Sequence, residues 1–363
     1  MEKTYILAIN PGSTSTKVSL FEDENLVKSH KFKHKIDDLS HFRDIVEQYP
    51  YREGLILDWL KQENISLERI KAVVGRGGLV RPVPGGTYQV TEVMVTDLKK
   101  GYQGEHASNL GGIIAFDIAK LENIPAYIVD PVALDELSPV ARISGMPEIE
   151  RKSLGHVLNI KSVAYKYSKD YFKDLQDVNL IVAHMGGGIS VAAVEKKEIV
   201  DINNANEMGP FSPDRTGELP VGALTKLCYS KQFTYDEMKN KIKGSGGLVA
   251  YLGTNDALEV ERKVLEGDAE ATLVYDAMSY QIGKEIGKMA TVLNGKVDAI
   301  ILTGGLAYSD YLNDYIKRMV GFIAPVVIYR GEDEMDALNK GALRIIKKQE
   351  RIKVYEKEVD FSD

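Results

Sequence analysis

The sequence predicts an α/β protein made of two related domains. Two observations carry this. Short runs rich in Val and Ile alternate with longer amphipathic stretches, and glycines stand where the apolar runs end, which is the pattern of strands alternating with helices. One pattern also occurs twice: Tyr5 to Leu20 reads YILAINPGSTSTKVSL, and Leu180 to Val194 reads LIVAHMGGGISVAAV. Each copy is an apolar run, a polar residue, a Gly-rich turn with a hydroxyl residue, and a second apolar run. Each therefore reads as a hairpin whose tight turn bares backbone N–H groups, a concave nest suited to phosphate oxygens. Matched without a gap, Asn10 falls on His184, Gly12 on Gly186 and Lys17 on Val191. A turn built twice is expected to clamp a polyphosphate between the two domains.

In chain order, the first hairpin spans about residues 4–21. Residues 37–62 read as helix, with Phe42, Ile45, Val46, Leu55, Leu57 and Leu60 as its apolar positions and a break near Pro50. Ile70 to Val74 is a short strand that stops at Gly75-Arg76-Gly77-Gly78. After the Pro/Gly-rich loop Arg81 to Gly86, Tyr88 to Val95 alternates like a half-exposed strand. Asn109 to Ala119 reads as helix and Ala126 to Val129 as a buried strand ending at Asp130-Pro131. A second unit begins after the loop Ser144 to Pro147, with a helix at 154–172, the second hairpin, and the loop Asn203 to Pro220. A long helix follows over 268–293, with Leu273, Ala277, Ile282, Ile286 and Met289 as its apolar positions. Then come the strand Val297 to Thr303, Gly304-Gly305, a helix at 308–320, the strand Val326 to Tyr329, and a last helix from Met335 to Lys347. Ligands in such folds sit where the carboxyl ends of strands meet loops.

At 363 residues, 44% of them apolar, the chain is long enough for two ordinary cores. The formal net charge is −7 and no basic block is present, so neither nucleic acid nor an anionic membrane is the expected partner. Any bound anion must be held by local donors. Cys228 is the single cysteine; that excludes an intramolecular disulfide, fits a reducing cytoplasm, and favours a buried apolar thiol. The short N-terminal apolar run breaks at Asn10 and Pro11, unlike a signal peptide. No apolar stretch reaches the roughly 18–20 residues of a membrane span.

The sequence has no GxxxxGK[ST], no GxGxxG after a strand and no HExxH. A phosphate site must use another scaffold. Gly12 to Lys17 offers N–H groups, hydroxyls and one cation. Gly186-Gly187-Gly188 lets backbone approach a ligand with no side chain in the way. AIILTGGLA, Ala299 to Ala307, delivers two glycines from a buried strand, as a nucleoside site would need. Arg76 in VVGRGG and Arg215 in GPFSPDRTGELP stand among turn formers; a planar guanidinium fork suits phosphate or carboxylate. His30, His34 and His41 fall in a Lys/Asp-rich segment and read as exposed. His106, His156 and His184 each stand beside glycine or at the start of a segment.

In order, NPGSTSTK, VGRGG, GGTY, HASNLGG, DPV, GHVLN, AHMGGGISV, GPFSPDRTGELP and TGGLA resemble the acetate and butyrate kinase family over nearly the whole chain, most closely its butyrate kinase branch. That family lies within the actin-like, sugar-kinase-like ATPase superfamily, a duplicated ribonuclease H-like α/β fold with an ATP cleft between its domains. The resemblance implies domains at 1–150 plus 336–363 and at 151–335. It implies reversible phosphorylation of a short-chain carboxylate by ATP, with Mg²⁺, in direct in-line transfer. It also implies ADP as product, a phosphate acyltransferase as metabolic partner, and self-association into a dimer or larger.

The resemblance places roles by position. Asn10, Ser13, Ser15 and Lys17 match the first phosphate loop; His184 with Gly186, Gly187 and Gly188 match the second; Gly304 and Gly305 match the adenosine motif. Arg76, Asp130, His156, His184 and Arg215 match catalytic positions, and Arg76, His106 and Arg151 the substrate side. The late metal-binding glutamate falls on Asp333 or Glu334, with Asn10 as a further metal candidate. An acetate or propionate kinase, a sugar kinase and a nucleotide-switched binding ATPase of the same fold are the alternatives. The two arginines argue for an acceptor that is itself an anion.

Overall fold

The computed structural model describes residues 3–361. The chain forms two compact units, residues 1–135 with 333–363, and residues 136–332. In the first, strands β1 (Tyr5–Pro11), β2 (Ser15–Glu22), β3 (Asn25–Lys33), β4 (Ile70–Arg76), β5 (Thr87–Gln89) and β6 (Ala126–Val129) join a last short strand, Lys353–Val354. Their sheet order is β3-β2-β1-β4-β6-β5 with Lys353–Val354 at the edge. The second unit holds β7 (Asn179–Met185), β8 (Ile189–Glu195), β9 (Glu198–Ile202), β10 (Ala299–Gly304) and β11 (Val326–Arg330), in the order β9-β8-β7-β10-β11.

The duplication read from the two hairpins extends to the sheets. In the first unit β1, β2 and β3 are an antiparallel meander, and β4 and β6 then run parallel to β1. In the second, β7, β8 and β9 form the meander and β10 and β11 run parallel to β7. The central strands are buried on both faces, as helices on either side of a sheet require. One core gathers Leu7, Ile9, Val73, Ile113 and Ile128; the other gathers Ile181, Val191, Met278, Ile282 and Ile300.

Several elements depart from expectation for identifiable reasons. Tyr88 to Val95 is not one strand: β5 ends at Gln89 and a helix runs from Glu92 to Lys100. Thr91 Oγ1 caps that helix by accepting from Met94 N at 3.3 Å, and Met94, Val95 and Leu98 are its buried face. The helix expected over 37–62 is in pieces, Ile36–Leu39 and Tyr49–Gln62 with a 3-10 turn Ile45–Gln48 between them; Pro50 sits in the first turn of the later helix, where its missing N–H costs nothing. Strand β3 escaped notice because its side chains are nearly all exposed, so it lacks the alternation that marks a half-buried strand. Leu273, placed on the apolar face of the long helix, is exposed on Ala269–Val292. Cys228 is exposed rather than buried. His34 is buried, against the exposed reading. Among the described residues no helix is long and apolar enough to cross a membrane.

Candidate active site

In the first unit, register alone brings three of the candidates together. Ile9 pairs with Gly75, and Arg76 pairs with Val129. Asn10, Arg76 and Asp130 therefore stand at the carboxyl ends of three adjacent parallel strands, spaced about 4.8 Å per strand. The helix Glu334–Ile346 starts beside them. Asn10 Nδ2 donates to Glu334 Oε2 at 2.5 Å, and the other Glu334 oxygen forms an ion pair with Arg76 Nη1. Asp333 is used differently: its Oδ1 accepts from Asp336 N at 3.0 Å and caps the helix. Of the two acids, Glu334 is the one that reaches Asn10.

Asp130 is 4% exposed and has φ +38°. Its Oδ1 accepts from Gly86 N at 2.8 Å, so it orders the Pro/Gly-rich loop. His106 is exposed and its Nδ1 accepts from Ser108 N at 3.2 Å, which puts the proton of the neutral ring on Nε2. In the first turn Gly12 N donates to Ser15 O at 2.7 Å. Ser13 and Lys17 are exposed and Ser15 is half-buried. Lys17 lies across β1–β2 from Asn10.

In the second unit, His184 lies at the end of β7 beside Thr303 of β10 and is 2% exposed. Its Nδ1 donates to Asn159 Oδ1 at 2.8 Å. Its ring stacks on His156, with centroids 3.9 Å apart and planes 12° apart. His184 Nε2 is 3.6 Å from Glu332 Oε2. His156 Nδ1 hydrogen-bonds with Ser190 Oγ at 2.9 Å.

The second turn is closed by Gly186 N donating to Gly188 O at 3.2 Å and by Ser212 Oγ donating to Gly187 O at 2.5 Å. Arg215 lies directly on Gly188: a Cβ there would stand 2.4 Å from Nη1. Nη1 is anchored to Ala205 O at 2.9 Å, while Nη2 has no hydrogen bond among the described residues. Burial holds the Arg215 pKa below its ordinary value, with Asp214 offsetting part of the effect. Gly304 has φ +88° and a Cβ on it would meet Met185 O at 2.4 Å, whereas Gly305 has nothing within 4 Å. Arg151 departs from the substrate-side expectation. Its fork is taken by Asp201 (2.8 Å and 3.4 Å), Ala141 O and Ile202 O, which braces the segment leading to His156.

A sequence model of the Acetokinase family matches residues 152–322. Butyrate kinase 2 of Clostridium acetobutylicum is 53% identical over 354 residues, 97% of this chain and 99% of that protein. The chain belongs to the acetokinase family. Probable butyrate kinase 2 of Caldanaerobacter subterraneus subsp. tengcongensis is likewise 53% identical, over 96% of this chain and 99% of that one. Among solved structures, Porphyromonas gingivalis acetate kinase superimposes with TM-score 0.76 at 18% identity, covering 94% of this chain and 100% of that one. A ROK family protein of Streptococcus pneumoniae in complex with sucrose gives 0.53 at 10% identity, covering 96% and 100%. At such identities these structures speak for the fold alone.

In this acetokinase, pattern reading missed Asn159, Ser190 and Glu332. Asn159 and Ser190 are buried polar residues in apolar stretches, and only the packing shows what they touch. Ser190 also corrects the repeat. Asn10 pairs with Lys17, but His184 pairs with Ser190. The second turn is one residue shorter, so Ser190, not Val191, holds the place of Lys17.

Proposed function

We propose that this acetokinase transfers the γ-phosphoryl group of ATP to butyrate, or to a short or branched acid close to it, reversibly giving the acyl phosphate and ADP. The observation that carries the reading is the open Nη2 of Arg215 above the Gly-rich turn, with a buried histidine at the end of the same strand. A carboxylate oxygen of the acid attacks the γ-phosphorus. The bond from that phosphorus to the β–γ bridging oxygen breaks, and ADP leaves with the electron pair. With a pKa near that of Glu, about 4.3, the acid is already ionised at neutral pH and needs no general base. The difficulty is repulsion between two anions, so positioning and charge stabilisation do the work.

Arg76 takes the acid's carboxylate, and Arg215 and His184 take the transferring phosphoryl group. Since His184 Nδ1 donates to Asn159, a donor at Nε2 requires the imidazolium. Glu332 Oε2 lies 3.6 Å from that nitrogen. His156 supports His184 by stacking, and His106 lies on the acid's side. Asp130 and Arg151 hold the loops that carry these groups. Ser13, Ser15 and Lys17 serve the nucleotide's phosphates, as do Gly186 to Gly188; Gly304 and Gly305 serve its nucleoside. Among the described residues no cluster of three His, Cys, Asp or Glu could hold a metal ion. Glu334 and Asn10, a carboxylate beside an amide, would hold Mg²⁺ arriving with ATP. Bound there it would supply positive charge to the phosphate oxygens. We assign the enzyme to the cytoplasm, acting with a phosphate acyltransferase that makes or uses its acyl phosphate.

We further propose self-association. The helix Val221–Cys228 buries none of its residues although it is largely apolar, and a surface of this kind marks an interaction site. Trapping the acyl phosphate with hydroxylamine over a series of acids tests the activity. Acid-dependent ADP release with butyrate preferred is expected. Faster turnover of acetate or propionate would transfer the enzyme to those kinases, and ATP hydrolysis indifferent to acids would sink the reading.

A further inference from the structure

A buried cation lies under the first phosphate turn, and the roles above do not use it. Arg52, on the helix Tyr49–Gln62, is 1% exposed. Its Nη1 donates to Gly12 O (2.7 Å), Thr16 Oγ1 (3.1 Å) and Ser15 O (3.3 Å). Its Nη2 donates to Gln48 Oε1 (2.7 Å) and Ser13 O (3.3 Å). Every acceptor is neutral, no carboxylate pairs with it among the described residues, and Nε has no partner. Burying a charge without a counter-ion is strongly unfavourable. Burial lowers the Arg52 pKa to about 10, which still leaves it charged at neutral pH.

The arrangement sorts the dipoles of the turn. The carbonyls of Gly12, Ser13 and Ser15 face inward onto the guanidinium. The N–H groups of Ser13 and Thr14 have no backbone acceptor among the described residues, and both residues are exposed. Thr16 Oγ1 also meets His34 Nε2 at 2.8 Å, and His34 N donates to Thr14 O at 2.9 Å. Burial, with Arg52 beside it, lowers His34 to about 4, so His34 adds no second charge at neutral pH.

We propose that Arg52 is the positioning residue of the polyphosphate turn. It turns three carbonyls away from the ligand and sets an uncompensated positive charge beneath it, whose counter-ion is the bound phosphate chain. This rests on the assignment of Gly12 to Lys17 as a phosphate turn. A charge behind one layer of backbone, away from bulk water, acts on an anion more strongly than a surface lysine does.

The test is binding of inorganic tripolyphosphate and of ATP to the full chain, by calorimetry at several salt concentrations, in wild type, Arg52→Lys and Arg52→Met. Steady-state KM values for ATP and for the acid are measured alongside. Arg52→Met is expected to weaken both phosphate ligands by about tenfold or more, the scale of a lost charge-assisted contact, and to flatten the salt dependence. Arg52→Lys keeps the salt dependence but loses affinity because its ammonium cannot hold the carbonyls together. KM for the acid stays within about twofold in both. Wild-type tripolyphosphate affinity in folded Arg52→Met overturns the proposal, as does an equal rise in both KM values. If Arg52→Met does not fold, Arg52→Lys with wild-type tripolyphosphate affinity overturns it. Tripolyphosphate binding is read without turnover, so a wild-type protein that lacks kinase activity sinks the kinase reading and leaves this test standing.

Discussion

Arg215 and Gly188 act as one unit, because the guanidinium occupies the space a side chain on Gly188 would fill. Arg215→Ala is expected to lower kcat by at least about 10²-fold, the scale of losing one transition-state donor. Gly188→Ala should approach that loss while keeping the charge, since the new methyl displaces the fork. Near-wild-type turnover in either variant would remove Arg215 from the chemistry. Arg76→Ala is expected to lower kcat by a similar factor, and unchanged turnover would leave Arg76 as only the partner of Glu334. His34 gives a pH effect on stability rather than on rate. Its ring meets Thr16 and Tyr51; burial, with the Arg52 charge adding to it and the Asp38 charge opposing it, holds the folded pKa at about 4, below the ordinary 6.5. Between those values the unfolded chain binds more protons, so the contribution is complete above the ordinary value and is lost as pH falls towards the folded one. Tm should drop between about pH 7.5 and about pH 5 in wild type and drop less in His34→Gln. Equal drops would assign the effect elsewhere.

The two hairpins show at the level of elements what pattern reading can and cannot resolve. Their apolar runs and glycines marked both turns correctly, because burial and positive or close-packed backbone leave strong residue signatures. Their register stayed hidden, since the ungapped match puts Val191 opposite Lys17 while hydrogen bonding puts Ser190 there. Strand β3 and the helix Glu92–Lys100 were lost for a related reason. An exposed edge strand has no apolar face, and a nine-residue helix is too short for its period to stand out from alternation. The TGGLA turn separates two kinds of glycine. Gly304→Ala should destabilise the fold, because φ +88° and a Cβ 2.4 Å from Met185 O are both unfavourable. Gly305 has open space, so Gly305→Ala should fold like wild type and raise KM for ATP. Thermal melts and nucleotide kinetics of the pair check this; equal melting temperatures would contradict the distinction.

For the whole molecule, the first unit is completed only by residues 333–363. The helix Glu334–Ile346 buries Met335, Leu338, Ala342 and Leu343, and it carries Glu334 to Asn10 and Arg76. A fragment of residues 136–332 is expected to melt cooperatively by itself, whereas a chain ending at Glu332 should lose the transition of the first unit. Calorimetry of the two checks this, and two intact transitions in the truncated chain would refute it. Sequence by itself determined the duplicated α/β architecture and put forward most of the candidate site residues, because strand burial, tight turns and isolated arginines leave local marks. Only the tertiary structure brought Glu334 rather than Asp333 to Asn10, spent Arg151 on Asp201, and revealed Asn159, Ser190 and Arg52 beneath the turns. Those outcomes depend on which polar atoms meet across strands and helices distant in sequence. No local periodicity records such meetings, so the two repeated turns could be read early and their supports could not.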